Sequence, residues 1–210
     1  MASDRRIRKF VRQWRRRYPH PVDWVDDRAN KQHRRSETAW FAQFEGATSL
    51  KRREARVLVD WRFAGQADQR AEAFAGIDSP AAWGHAQRCI RKALKEQSPT
   101  RALDLLLGEC SGIPGWGPPM ASVVLAAASP DVYVVADERA LGALEALGLM
   151  APRTPGRFDR SDWWPYLRIC RQLASECGVS LGEVRQALWA ADGKAPALPD
   201  KPKARRHPRG

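Results

Sequence analysis

Apolar residues recur at helical spacing along most of this chain. In "RRIRKFVRQWRRRY", Ile7, Phe10, Val11 and Trp14 fall at i, i+3, i+4 and i+7, with arginines over the remaining surface, which predicts a short basic amphipathic helix. Its apolar stripe suits docking on a folded body and its cations suit DNA; spacing alone does not choose. The stretch "HPVDWVDDRANKQHRR" that follows reads as a linker or irregular arm. From Ser36 onward helical signals dominate: "SETAWFAQF", then "TSLKRREARVLVDWRF" with Leu50, Val57, Leu58 and Trp61 on one side, then a helix around 67–75. Ser79-Pro80 and Ser98-Pro99 each supply an N-cap oxygen followed by the proline tolerated in a first helical turn. Behind them Trp83, Ala86, Ile90, Ala93 and Leu94, and then Leu103, Leu106 and Leu107, keep the 3.6 period.

The last third repeats this pattern. Trp163, Leu167, Cys170, Ala174 and Cys177 mark one helix, in which Pro165 fits if it lies in the first turn. A capping box, Ser180 with Glu183, opens a final helix that buries Leu181, Val184, Leu188 and Ala191. The strand-like run "VYVV" at 132–135 has no convincing partner strand, so it reads as an extended connector in an all-α fold. The tryptophans Trp40, Trp61, Trp83 and Trp189 fall on apolar helix faces and are expected in the core.

At 210 residues the chain suits one folded domain. The expected organisation is a basic N-terminal helix and arm over 1–35, an all-helical domain over 36–192, and a disordered Pro/Lys/Arg-rich tail over 193–210. The net charge of +12 belongs to the ends: residues 1–35 carry +8 and residues 193–210 carry +5, whereas 36–192 carry −1. Such arms attract phosphate polymers without reading sequence, although solvated solubility tails would look the same. No stretch approaches the roughly 18 apolar residues of a membrane span, and the basic start lacks the apolar block of a secretory signal. The expectation is a cytoplasmic, nucleoid-associated monomer. Cys89, Cys110, Cys170 and Cys177 form no short CxxC pair, which makes disulfides and zinc unexpected in a reducing compartment.

The stretch "SGIPGWGPPMA" is the chemical signature of the chain. A helix ends near Gly108, Gly115 and Gly117 permit a tight turn, and a new helix begins at Pro118 or Pro119 with Met120, Val123, Val124 and Ala127 on its inner face. This is a helix–hairpin–helix over 111–120. Its glycines let another backbone approach, and the helix N-terminus offers unpaired N–H groups to phosphate; a plain helical hairpin with a glycine turn fits the same letters.

Beyond the hairpin helix comes "SPDVYVVADERALGALEALG". With Ile113-Pro114-Gly115-Trp116-Gly117, the helix 118–128, "YVVAD" and Asp137 in that order, the chain resembles the helix–hairpin–helix DNA glycosylase superfamily. It is also similar to an uncharacterised bacterial branch of it in "RAL" after the aspartate and in the closing Ala187-Leu188-Trp189. The resemblance spans 36–192 and is specific over 98–148. It implies a two-lobed helical DNA glycosylase-like fold with basic flexible termini, and Asp137 as the catalytic carboxylate at the mouth of the cleft. It also implies double-stranded DNA held by Gly115, Trp116, Gly117, Met120 and Ala121, and a monovalent cation on the carbonyls of Ser111, Ile113 and Trp116. Breaking an N-glycosidic bond builds positive charge on the sugar, which a fixed anion stabilises; an aspartate before a helix is equally a good N-cap.

Departures narrow the reading. Members with strand-cleaving lyase activity carry a lysine where this chain has Pro119, so no Schiff base forms there and a monofunctional glycosylase is expected. Pro118 and Pro119 also supply no N–H to phosphate. Cys170 and Cys177 have the gap of an iron–sulfur loop without its two other cysteines, so no cluster is expected. A flipped base needs aromatic neighbours, for which Tyr133, Trp163 and Trp164 are the candidates, and Arg139 stands close enough to Asp137 to touch phosphate or hold a helix end. The alternatives are a noncatalytic helix–hairpin–helix DNA-binding protein and a protein-binding scaffold.

Overall fold

The computed structural model describes residues 5–18, 41–64, 66–109, 115–152 and 158–191, and within them the periodic segments form helices with no strand. The described helices are α1 (Arg5–Arg15), α2 (Arg52–Arg62), α3 (Ala67–Asp78), α4 (Pro80–Lys95), α5 (Pro99–Glu109), α6 (Pro118–Ala128), α7 (Glu138–Ala146), α8 (Arg160–Cys177) and α9 (Leu181–Ala191), with a 3-10 turn at Ala42–Phe44. The protein is all-α. No described helix is long and apolar enough to cross a membrane. Trp40, the arm after Tyr18 and the tail lie outside the described residues.

The central helix is α6. Every residue from Met120 to Ala128 is buried, as a helix apolar all round demands, and α2, α4 and α5 pack on it. Its alanines keep those neighbours close. Around it two of the three expected caps form: Ser79 Oγ accepts from the Ala82 amide at 3.4 Å, whereas Ser98 Oγ meets Thr100 Oγ1 at 3.1 Å rather than a backbone amide. Ser180 and Glu183 close a reciprocal box, the Ser180 amide donating to Glu183 Oε2 at 2.9 Å and the Glu183 amide to Ser180 Oγ at 3.2 Å.

The N-terminal helix docks. Phe10, Val11 and Trp14 are buried with Tyr18 just beyond them, against α9 and α8, and Arg15 Nη1 meets Glu183 Oε1 at 2.5 Å. Residues 5–18 therefore pack on the body, a docking that the spacing left open, and residues 19–35 lie outside the described residues. Docking by the apolar stripe leaves Arg5, Arg8, Lys9, Arg12 and Arg16 exposed on the outer side, so α1 serves packing and charge display at once.

Two local expectations are corrected. Pro165 lies inside α8, beyond its first turn. The helix begins at Arg160, where Asp159 and Asp162 form a capping box, and burial of Trp163, Tyr166 and Leu167 offsets the lost backbone bond. On α2 the buried face is Ala55, Leu58 and Val59, turned from the predicted face, while Val57 and Trp61 are half-buried.

The extended connector explains its own lack of a partner strand. Tyr133, Val134, Val135 and Ala136 are buried, so their backbone groups need acceptors and donors from somewhere. Side chains provide several of them. Ser122 Oγ on α6 accepts from the Ala136 amide at 2.7 Å and donates to the Pro119 carbonyl at 2.7 Å. The Tyr166 hydroxyl donates to the Val135 carbonyl at 3.1 Å, and the Arg171 guanidinium donates twice to the Val132 carbonyl, at 3.0 and 2.5 Å. Replacing Ser122 with alanine is expected to strand the buried Ala136 amide and to cost roughly 1–3 kcal/mol, read as a lower denaturant midpoint.

Candidate functional site

The connector ends at Asp137, and the local sequence fixes where its carboxylate stands. Asp137 is the N-cap of α7: Oδ1 accepts from the Arg139 amide at 2.9 Å and the Ala140 amide at 3.3 Å. Its Oδ2 faces α9, where Arg185 Nη1 donates at 3.3 Å. The Asp137 side chain keeps 18% of its surface exposed against 4% for Arg185, so Asp137 retains some contact with solvent where Arg185 has almost none. A carboxylate offers about four lone-pair sites. Two amides and one guanidinium nitrogen occupy three.

Arg185 joins three parts of the molecule. Its Nη2 donates to the Tyr18 hydroxyl at 3.0 Å, and its guanidinium carbon lies 5.3 Å from the Tyr18 ring centre and 5.5 Å from that of Trp61. Tyr18 in turn meets Trp189 edge to face at 5.2 Å, and the exposed Arg139 guanidinium lies 4.6 Å over the Trp189 ring. Trp61 and Trp189, expected in the core, are thus half-buried at a junction of α1, α2, α7 and α9. Arg62, the last residue of α2, interacts electrostatically with the Asp137 and Glu138 carboxylates and with Arg185; burial pushes its guanidinium pKa down, and the Asp137 charge pulls it back up. Glu138 is engaged elsewhere, accepting from the Phe158 amide at 3.0 Å.

Arg62 and Arg185 escaped the sequence analysis because charged residues on amphipathic helices read as solvent-facing, and Tyr18 because it lies beyond the periodic stripe of α1. A signal was present. Arg185 lies four residues after Leu181 and four before Trp189, and Arg62 lies four after Leu58 and three after Val59, so both arginines interrupt apolar faces.

The hairpin stands apart from this junction in its details. Gly115 has φ +74°, as its turn requires, and a Cβ built on it would lie 2.8 Å from the Ala73 Cβ of α3. The close approach that this glycine permits is to the protein's own helix. Gly115→Ala is expected to combine left-handed backbone strain of about 1–2 kcal/mol with overpacking, and to lower the melting temperature by several degrees. The Ala121 amide, expected to bind phosphate, instead donates to the Gly117 carbonyl at 3.0 Å within α6. The Trp116, Met120 and Ala121 side chains are buried. Ser111 and Ile113, two of the three proposed cation ligands, lie outside the described residues.

The aromatic candidates separate. Tyr133 and Trp163 stack on each other at 6.1 Å inside the core, which leaves neither ring face open to a base at that contact. Trp164, next in sequence, points outward and is 41% exposed. Cys170 is fully buried beside Tyr166, and burial pushes its thiol pKa up to about 12. Among the described residues no group of three His, Cys, Asp or Glu side chains could hold a metal ion. The fold and site define an all-helical protein with a partly exposed aspartate set among arginines and aromatic rings. The chain matches no family model, no curated protein and no solved structure.

Proposed function

We propose that this protein binds double-stranded DNA and releases a damaged or mismatched base by hydrolysis, as a monofunctional glycosylase of the two-lobed helix–hairpin–helix type with Asp137 as its catalytic carboxylate. The observation that carries this reading is the relay from α1 to Asp137. The basic outer face of α1 attracts the phosphate backbone, and the chain leaving that helix ends its described part at Tyr18, which touches Arg185, which holds Asp137 Oδ2. A surface suited to gather DNA is therefore tied to a carboxylate that keeps some contact with solvent.

The chemistry asked of Asp137 is modest. As the bond between the base nitrogen and the sugar C1′ breaks, the electron pair leaves with the base and positive charge develops on the sugar ring; water then adds to C1′, and its proton is lost. The free lone pair of Oδ2 faces that charge or accepts the proton of the attacking water. Arg185 and the α7 amides fix the carboxylate in place. Pro119, in the first turn of α6, offers no amine for strand cleavage.

A second reading, a noncatalytic DNA-binding protein, is favoured by the same contacts seen the other way: Asp137 already has an N-cap role and a cationic partner. Duplexes bearing oxidised, alkylated, deaminated or mismatched bases, incubated with the full chain and treated with alkali to reveal abasic sites, separate the two. Release from one member of the panel supports excision. Binding to every duplex with no release supports the noncatalytic reading.

A further inference from the structure

Folding gathers cations that lie far apart in a nearly neutral stretch of sequence. On α4, Arg88, Arg91, Lys92 and Lys95 stand at i, i+3, i+4 and i+7 and are all exposed. They form one basic stripe on the side of the helix away from the buried Ala86, Ile90 and Ala93. One turn before Arg91, Gln87 donates from Nε2 to the Leu50 carbonyl at 3.2 Å. Leu50 is followed directly by the exposed Lys51, Arg52 and Arg53, and three residues of backbone reach at most about 11 Å, so the start of α2 is held beside the α4 stripe. Lys51, Arg52, Arg53, Arg88, Arg91 and Lys95 enter no ion pair among the described residues. Of the carboxylates next to them in sequence, Glu54 accepts from the Lys51 amide at 2.7 Å and Glu96 pairs with Arg101 at 3.3 Å. A solvated face accounts for Lys92 and Lys95, which lie in the last turn of α4, where the helix dipole favours cations. It does not account for the start of α2, where three cations crowd the positive end of the dipole with Glu54 as the one acid of that turn. A polyanion lying over this surface removes the repulsion.

We infer that the surface shared by α4 and the start of α2 is a second duplex-binding face, on which the phosphate backbone of double-stranded DNA lies. The inference rests on the DNA binding proposed above and not on base release. From Arg88 to Lys95 the stripe runs about 10 Å along the helix, a length over which one strand of a duplex presents about three phosphates. The face is separate from that of α1, which packs on α8 and α9, whereas α4 packs on α3, α5 and α6. A bilayer fits it less well, because among the described residues the large exposed apolar side chains are Val132 and Trp164. Neither lies on α2 or α4, so this face has nothing to sink between acyl chains.

Affinity of the full chain for an undamaged duplex, measured against salt concentration, tests this face. One triple variant carries Arg88→Gln, Arg91→Gln and Lys95→Gln, and a second carries Lys51→Gln, Arg52→Gln and Arg53→Gln; glutamine keeps the helix propensity and all six positions are exposed, so both chains fold. A control with Arg70→Gln, Arg160→Gln and Arg168→Gln removes the same charge from exposed positions elsewhere. Each of the first two variants should make the salt dependence shallower by about two to three ions, and the control by less than about one. A wild-type slope in either variant, or a control that shifts as much as they do, overturns the inference. Wild-type protein that binds phosphatidylserine vesicles and no duplex overturns it in favour of a membrane, and the DNA reading falls with it. Unchanged slopes with base release intact leave the glycosylase reading standing. Shallower slopes without base release leave this face standing on a noncatalytic DNA-binding protein.

Discussion

Asp137→Asn is expected to lower base release by about 100-fold or more while the protein still folds and still binds DNA. The magnitude follows from removing a preorganised charge aimed at a transition-state charge, which is worth roughly 10²–10³ in rate. Asparagine is among the best N-cap residues, so its oxygen can keep the bonds that Asp137 Oδ1 makes to the Arg139 and Ala140 amides. What it cannot do is neutralise Arg185, whose side chain is 4% exposed. The variant should therefore lose stability, by about 2 kcal/mol, less than the roughly 3–5 kcal/mol of a fully broken buried pair because the Tyr18 hydroxyl remains as an acceptor. Circular dichroism and a thermal melt place the variant as folded at the assay temperature. DNA affinity should hold or rise, since a negative charge beside the backbone is gone. Loss of turnover with binding kept is the mark of a group that acts in the transition state. Asp137→Ser, which keeps a cap and removes the carboxylate, should behave alike; wild-type release from both variants would reduce Asp137 to a helix cap.

The second large effect concerns α1. Deleting residues 1–18 should cost roughly 5 kcal/mol or more, because it uncovers the faces of α8 and α9 and removes Phe10, Val11 and Trp14 from the core, at about 1.5–3 kcal/mol for each large side chain. That loss is comparable to the whole stability of an ordinary domain, roughly 5–15 kcal/mol, so the truncated chain should melt far lower or fail to fold. Substituting serine for Arg8, Arg12 and Arg16, exposed on the opposite side of the same helix, should cost no more than about 0.5 kcal/mol at each position, far less than the truncation. In DNA binding it should make the salt dependence shallower by about three ions. The pair of measurements separates the two jobs of one helix. A truncated chain that melts like the full one would show that the packing of α1 contributes nothing.

How much of this was legible beforehand depends on the range over which each signal acts. The capping box at Ser180 and Glu183 and the helices behind Ser79 and at the N-terminus are written in residues three or four apart, and a helix brings such residues together whatever surrounds it. The extended run at 132–135 was legible for the opposite reason: its β-branched residues disfavour a helix and no neighbouring run offers a ladder. The stack of Tyr133 on Trp163 was not legible: the period of α8 puts Trp163 on the apolar face, but nothing local says that the ring of a connector residue from a distant segment lies against it.

By itself, then, the sequence determined that the described chain is helical, where most of its helices start, and that Asp137 stands at the head of one of them. The tertiary structure decided that α1 belongs to the body, that Gly115 makes room for Ala73, and that Tyr18, Arg62, Arg185 and Trp189 meet around the carboxylate. Periodicity tells a helix which of its faces is apolar. Which other face will cover it, and which charged side chain will be carried inward with it, depends on contacts between segments as distant as the 167 residues that separate Tyr18 from Arg185, and those are chosen by packing rather than by any local preference.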